Sequence, residues 1–276
     1  MTPQDSHFGV AFLAFNCEKV NTYMSSDPHF AQAVEITTAT YDAVARNYAE
    51  RNDAMGEHWA TRIADFAAAL DEAAEERPIP ELGRPGDDIT LGEYLQFVPV
   101  LDAGCGPGRD ARALAAYDLP VLGVDLSQGM LDEAIERTAR RLSRGAIRYA
   151  LMDLRRLELP DESCRGVWCS ASLLHLPRSA AQRAARELAR VTRSSGPLVV
   201  LLKLRGDEQD AETFQPYQYA SAEGLADSRR FFAYYTPDEA EALLHDAGLD
   251  VREVTTSTDD RPADAPGWIS LVARKP

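Results

Sequence analysis

The stretch VLDAGCGPGRD (100–110) limits this chain's possible folds more than any other. An apolar run ends in an acid, three glycines follow at every second position, and a helix-forming segment begins at once. Glycines at that spacing let the backbone turn sharply and lie close against another group. The pattern is that of a strand, a tight turn and the first turn of a helix, a unit characteristic of open parallel sheets.

The rest of the chain repeats the alternation. VPVLD (98–102), PVLGVDL (120–126), AIRYALMD (146–153), CRGVWCSAS (164–172) and PLVVLLKL (197–204) read as five strands. Helices are expected at 109–116, from the cap Ser127 to about 143, and at 179–192. TPDEAEALLHDAG (236–248) carries the cap Thr236, Pro237 at the first helical position and Gly248 beyond the end. DVREVTT and GWISLVAR supply two closing strands. Upstream, 30–76 reads as mostly helical, and the Pro- and Gly-rich 77–92 as a long loop. The expectation is an α/β chain in which 1–96 forms a helical cap and linker loop and 97–276 the core.

Ligands of open parallel sheets bind beyond the carboxyl ends of the strands, where the strand order reverses. A dinucleotide loop reads Gly-x-Gly-x-x-Gly, and this chain has Arg109 where the third glycine would be. An arginine does not permit the close helix–strand packing that this glycine allows. A cation in the first turn of a helix is disfavoured by the dipole. Either Asp110 offsets it or a ligand carboxylate lies nearby; the sequence leaves both open.

The formal charge of −15 repels phosphate backbones, so nucleic acid is not the expected partner. Four scattered cysteines without a Cys-x-x-Cys pair or nearby histidines argue against a disulfide framework or a metal site and point to a reducing cytoplasm. The apolar run at 7–16 lacks the flanks of a signal peptide, and no run is long enough to span a membrane.

Taken in order, LDAGCGPG, VLGVDLS, YALMDL, VWCSASLLHLP, ELARVTRSSGPLVVLLK and LLHDAGLDVREV resemble the successive motifs of the class I S-adenosylmethionine-dependent methyltransferases. The resemblance runs from about residue 41 to the C-terminus. It implies a Rossmann-like, seven-stranded, mostly parallel sheet with the last strand antiparallel and helices on both faces. It also implies a helical N-terminal extension and a substrate lid at about 205–235. S-adenosylmethionine is the implied cofactor and S-adenosylhomocysteine its product. In that reading Gly104 and Gly106 let the backbone approach the cofactor, and Asp102 accepts from its ammonium group. Asp125 takes the ribose hydroxyls, and Asp153 the adenine amino group between Leu126, Met130 and Leu154. Tyr41, Cys105, Arg109 and Ser170 complete the cofactor set. For Met130 a plain core position explains the residue equally well.

His175, in the loop after the fourth strand, is the candidate base for the methyl acceptor. Tyr48, Tyr217, Phe231 and Tyr235, with His175, are the candidate acceptor contacts, although packing of a small subdomain would also account for the aromatics of 214–235. The implied acceptor is a small molecule, plausible as a natural-product intermediate, methylated at oxygen, nitrogen or carbon. A macromolecular acceptor and a non-methylating cofactor-binding protein are the alternatives. Turn Ser195-Gly196-Pro197 departs from the paired glycines usual in the family. Residues 1–30 and 77–92 have no counterpart there and are candidates for an acceptor wall or a homodimer contact.

Overall fold

The computed structural model describes residues 12–13, 28–72, 90–140, 147–217, 228–257 and 267–276. Most of the expected loop at 77–92 lies outside these residues, as do the first eleven, Tyr219 and the end of the helix expected to reach 143.

Among the described residues there are ten strands: β1 (Phe12–Leu13), β2 (Val100–Ala103), β3 (Val121–Asp125), β4 (Ile147–Leu151), β5 (Gly166–Ser170), β6 (Pro197–Leu204), β7 (Glu212–Pro216), β8 (Arg229–Tyr235), β9 (Asp250–Ser257) and β10 (Trp268–Arg274). Their order across the sheet is β1-β4-β3-β2-β5-β6-β10-β9. The five strands from β2 to β6 pair in parallel, and β10 is antiparallel to both of its neighbours. The seven expected strands form one continuous run. β1 extends its edge, and β7 and β8 add to it near the end of β6.

Among the described residues seven α-helices accompany the sheet: α1 (Pro28–Asn52), α2 (Glu57–Glu72), α3 (Leu91–Leu95), α4 (Arg109–Ala115), α5 (Gln128–Ala139), α6 (Arg178–Val191) and α7 (Pro237–His245). The expected helical stretch of 30–76 is thus two helices, broken near Gly56. The last two residues of the expected 77–92 loop, Leu91 and Gly92, already belong to α3. Thr90 caps that helix with a reciprocal Glu93 bond, a two-donor solution for its unsatisfied amides.

Strand side chains alternate between two cores. Leu101, Ala103, Leu122, Val124, Val167, Cys169, Val200 and Leu202 face one, with α6 and α7 packed on it. Val100, Val121, Trp168, Val199 and Leu201 face the other, against α2, α4 and α5. Both faces are therefore covered, as a parallel sheet requires. In α6 the small residues Ala180, Ala181, Ala184 and Ala185 all lie buried on the sheet side.

The chain lays β3 and β4 to one side of β2 and β5 and β6 to the other, so the order reverses between β2 and β5. One edge of β6 is paired along its length by β10. The other edge holds β5 only as far as Leu201, and β8 then takes over in parallel at Lys203 and Leu204. That relay brings β8 over the loop that follows β5, at the mouth of the crevice.

Candidate active site

Beyond Ala103 the backbone turns through Gly104, at φ +76°, and Gly106, at φ +51°, conformations that side-chain-bearing residues rarely adopt. The amides of Gly104 and Cys105 both donate to the Val124 carbonyl, 2.8 and 2.9 Å away, which fixes the loop beside the end of β3. A Cβ on Gly104 would overlap the Ser172 side chain. Ser172 is itself tied across the reversal, donating from Oγ to the Ala103 carbonyl at 2.6 Å. At Gly106 a Cβ would meet nothing within 4 Å, so the loop leaves open space there.

Asp125 ends β3 beside this loop. Its Oδ2 accepts from the Gly106 amide at 2.8 Å and its Oδ1 from the Ser127 amide at 2.9 Å. Burial raises its pKa, and these amide bonds pull the other way. A carboxylate oxygen has two acceptor sites, so each keeps one for a ligand hydroxyl. Asp102, 1% exposed, has its pKa pushed well above the usual carboxylate range by burial and by the neighbouring Asp110. Its Oδ2 is buried with no hydrogen-bond partner among the described residues. An orphaned buried oxygen of that kind is rare in folded proteins and suits a donor brought by a ligand.

Arg109 donates from Nε to Asp110 Oδ1 at 2.7 Å and lies over the Trp59 ring, 5.1 Å from its centroid. Asp110 Oδ2 also accepts from Trp59 Nε1 at 3.2 Å and Trp168 Nε1 at 2.9 Å. Asp110 therefore offsets the cation in the first turn of α4. Cys105 is buried, which pushes its thiol pKa up.

On the far side of Asp125 the Asp153 carboxylate accepts from the Arg155 amide at 2.9 Å and from Arg155 Nε at 2.8 Å through both oxygens. Leu126 and Leu154 are partly buried against the first core. Met130 is 2% exposed and its amide donates to Ser127 Oγ, completing the cap of α5. Ser170 closes β5, partly buried, at the strand-order reversal.

α1 crosses the crevice, held at three points. Thr37 Oγ1 accepts from the Phe231 amide, and Thr40 Oγ1 donates to the Arg229 carbonyl. Asp42 Oδ1 accepts from Ser127 Oγ at 2.6 Å and from the Gly129 amide at 2.9 Å, at the start of α5. Tyr41 and Tyr48 then meet edge to face, 5.5 Å between ring centroids.

His175, in a 3-10 turn (Leu173–His175), stands between α1 and β8. Its Nδ1 lies 2.7 Å from the Phe231 carbonyl, which can only accept, so Nδ1 carries the proton. Nε2 is then the acceptor for the Tyr41 hydroxyl, also 2.7 Å away. Burial and the charge of Arg230 lower the His175 pKa to about 3, so the imidazole is neutral. Arg230 Nη1 donates in turn to the Tyr41 hydroxyl at 3.2 Å. The sequence put Tyr41 with the cofactor and His175 with the acceptor; in the fold they touch.

The candidate acceptor residues divide. Tyr217 lies beside this cluster, its ring 5.1 Å from the Arg230 guanidinium and its hydroxyl donating to Asn47. Alternation along β8 sends Phe232 to His175, 4.7 Å between centroids, and Phe231 to the opposite face against Phe214. Tyr235, on the Phe231 face, packs under Arg178. Phe231 and Tyr235 are thus core residues on the face turned away from His175, while Arg230 and Phe232 stand on the face toward it. Ser172 and Asp42 were also missed: Ser172 lies within VWCSASLLHLP but was given no role there, and the roles of both come from contacts between segments distant in sequence.

The open loop at Gly106, the paired acceptors of Asp125 and the orphan oxygen of Asp102 fit a ligand that combines a diol with an ammonium group. Among the described residues no three His, Cys, Asp or Glu side chains come together as a metal site, and no helix is long and apolar enough to cross a membrane.

Residues 100–196 match the family model of the methyltransferase domain. Methyltransferase GfsG of Streptomyces halstedii is 31% identical over 166 residues, 59% of this chain and 57% of that protein. The chain thus aligns with little more than half of that relative. The 27-O-demethylrifamycin SV methyltransferase of Amycolatopsis mediterranei is 26% identical over 250 residues, 87% of this chain and 84% of that one. In fold, the 1,6-didemethyltoxoflavin-N1-methyltransferase of Burkholderia thailandensis, crystallised with 1,6-didemethyltoxoflavin and S-adenosylhomocysteine, superposes with a TM-score of 0.57 at 17% identity over 92% of each chain.

Proposed function

We propose a reaction for this chain on one premise, that it belongs to the class I S-adenosylmethionine-dependent methyltransferases. The reading is methyl transfer to an oxygen, nitrogen or carbon of a small molecule, a natural-product intermediate by class, with S-adenosylhomocysteine released. The observation that carries it is Asp125, set by two backbone amides beside an open glycine loop where the strand order reverses.

S-adenosylmethionine supplies a methyl group already attached to a good leaving group, so the protein's part is positioning, desolvation and proton handling. In this assignment Asp125 takes the ribose hydroxyls and Asp102 the ammonium group. Cys105, Arg109 and Ser170 line the methionine side, and Asp153 meets the adenine edge between Leu126, Met130 and Leu154. α1 and the β7–β8 pair act as the lid, covering the crevice with Tyr41, Tyr48 and Tyr217. His175 receives the acceptor's proton at Nε2, directly or through the Tyr41 hydroxyl. Its Nδ1–H bond to the Phe231 carbonyl holds the tautomer in which that lone pair accepts from the Tyr41 hydroxyl.

A small acceptor accords with the net charge of −15 and with the acceptors stated in the names of the Amycolatopsis and Burkholderia proteins. Incubation with S-adenosylmethionine and a panel of hydroxylated and aminated small molecules, read by mass spectrometry, tests the reading. The expected result is a product heavier by one methyl group together with S-adenosylhomocysteine. Cofactor retention without any methylated product, or tight NAD binding with no affinity for S-adenosylmethionine, contradicts it.

A further inference from the structure

Among the described residues Arg230 meets no carboxylate counter-charge. Its guanidinium sits among the rings of Tyr41, Tyr217 and Phe232, 5.6, 5.1 and 5.1 Å from their centroids. Nη1 donates to the Tyr41 hydroxyl, while Nε is buried with no partner. No carboxylate among the described residues reaches it; the groups that act on it are the phenols of Tyr41, Tyr48 and Tyr217.

Other arginines of this crevice and its surroundings are matched. Arg109 pairs with Asp110, Arg112 with Asp53, Arg155 with Asp153 and Arg178 with Glu239. The chain holds 44 acidic residues against 29 basic ones, so a carboxylate is the commonest neighbour a cation could have met. Ring faces attract a guanidinium, but they carry no net charge and cannot accept from Nε in its plane. A half-buried cation left in that state favours an anion delivered from outside.

We propose that Arg230 is the specificity-determining residue of the acceptor site and that the acceptor presents an anionic oxygen to it, a carboxylate or an ionised phenol or enol. The inference rests on the methyltransferase reading and names its substrate class. A guanidinium offers two parallel N–H donors, the geometry that a planar oxyanion accepts best. The rings of Tyr41, Tyr217 and Phe232 suit a planar body attached to that oxygen. Arg230 also holds the Tyr41–His175 pair in line, so an anion bound there sits beside the group assigned to proton transfer. Its charge depresses the basicity of His175, and a bound anion would relieve that effect.

Calorimetric titration of the protein saturated with S-adenosylhomocysteine tests this with three probes: benzoate, 4-nitrophenolate, and the neutral benzamide. Wild type is expected to bind at least one of the two anions tenfold or more tightly than benzamide, and the tighter one identifies the kind of oxyanion. Arg230→Met is expected to lose the preference and Arg230→Lys to keep part of it, with S-adenosylhomocysteine affinity within twofold of wild type in both. Equal binding of all three probes to wild type, no binding of either anion, or a preference that survives in Arg230→Met overturns the proposal. If a variant fails to fold, the wild-type ratio still decides. Loss of S-adenosylhomocysteine binding by the wild type would instead strike the methyltransferase reading, which the probe titration without it leaves separable.

Discussion

Asp125 carries out two tasks with one carboxylate, holding the Gly106 and Ser127 amides and keeping acceptor sites for a diol. Hydrogen bonds to a charged group contribute about 1.5–3 kcal/mol each. Asp125→Ala is therefore expected to weaken S-adenosylhomocysteine binding by roughly ten- to a hundredfold, measured by calorimetry; unchanged affinity would remove it from the site. Gly104 is constrained by conformation and by space. An alanine there pays roughly 1–2 kcal/mol for the left-handed backbone and also meets Ser172, which its bond to the Ala103 carbonyl keeps from moving aside. Gly104→Ala should lower the melting temperature and abolish cofactor binding together, and a variant with wild-type values of both would contradict the geometry.

His175 gives a pH signature. Its pKa is near 6.5 in the unfolded chain and is lowered to about 3 in the fold. Between those values the unfolded chain binds a proton that the folded chain refuses. The contribution of the neutral imidazole is thus complete above pH 6.5 and lost as the pH falls toward 3. Denaturation midpoints followed across that window should fall more steeply for wild type than for His175→Gln. Parallel curves would show that the ring is not held neutral.

Among the elements, α1 matters most to the site because it carries Tyr41 and Tyr48 and hangs on a few side-chain bonds. Thr37→Val keeps the shape of the side chain but strands the buried Phe231 amide, a loss of about 1–3 kcal/mol expected in urea unfolding. No change in stability would mean that α1 does not depend on β8. The strands and helices from β2 to β6 were legible because each declares itself locally: the apolar runs, the cap at Ser127 and the turn at 104–108 need no distant partner. β8 was not legible in the same way. RRFFAYY (229–235) is apolar or aromatic at five successive positions, so its pattern does not say which face meets the crevice. A one-residue change of register exchanges Phe231 for Phe232 and Tyr235 for Tyr234. The relay from β5 to β8 along the edge of β6 sets that register, and it is a contact between segments about sixty residues apart. The two tryptophans that share Asp110 were out of reach for the same reason.

For the whole molecule, one architectural fact organises the rest: the sheet reverses between β2 and β5, and the chain brings Asp102 with the glycine loop, Asp125 and His175 to that reversal from three separate segments. α1 and β8 then close the other side with aromatic rings and Arg230, which meets no carboxylate among the described residues. The central claim is that this crevice binds S-adenosylmethionine and its demethylated product rather than a dinucleotide. Calorimetric titration of the full chain with S-adenosylhomocysteine, with NADH as the competing ligand, tests it most directly. The expected result is one saturable site for S-adenosylhomocysteine that NADH does not displace and that Asp125→Ala impairs; saturable NADH binding with no heat from S-adenosylhomocysteine would contradict it.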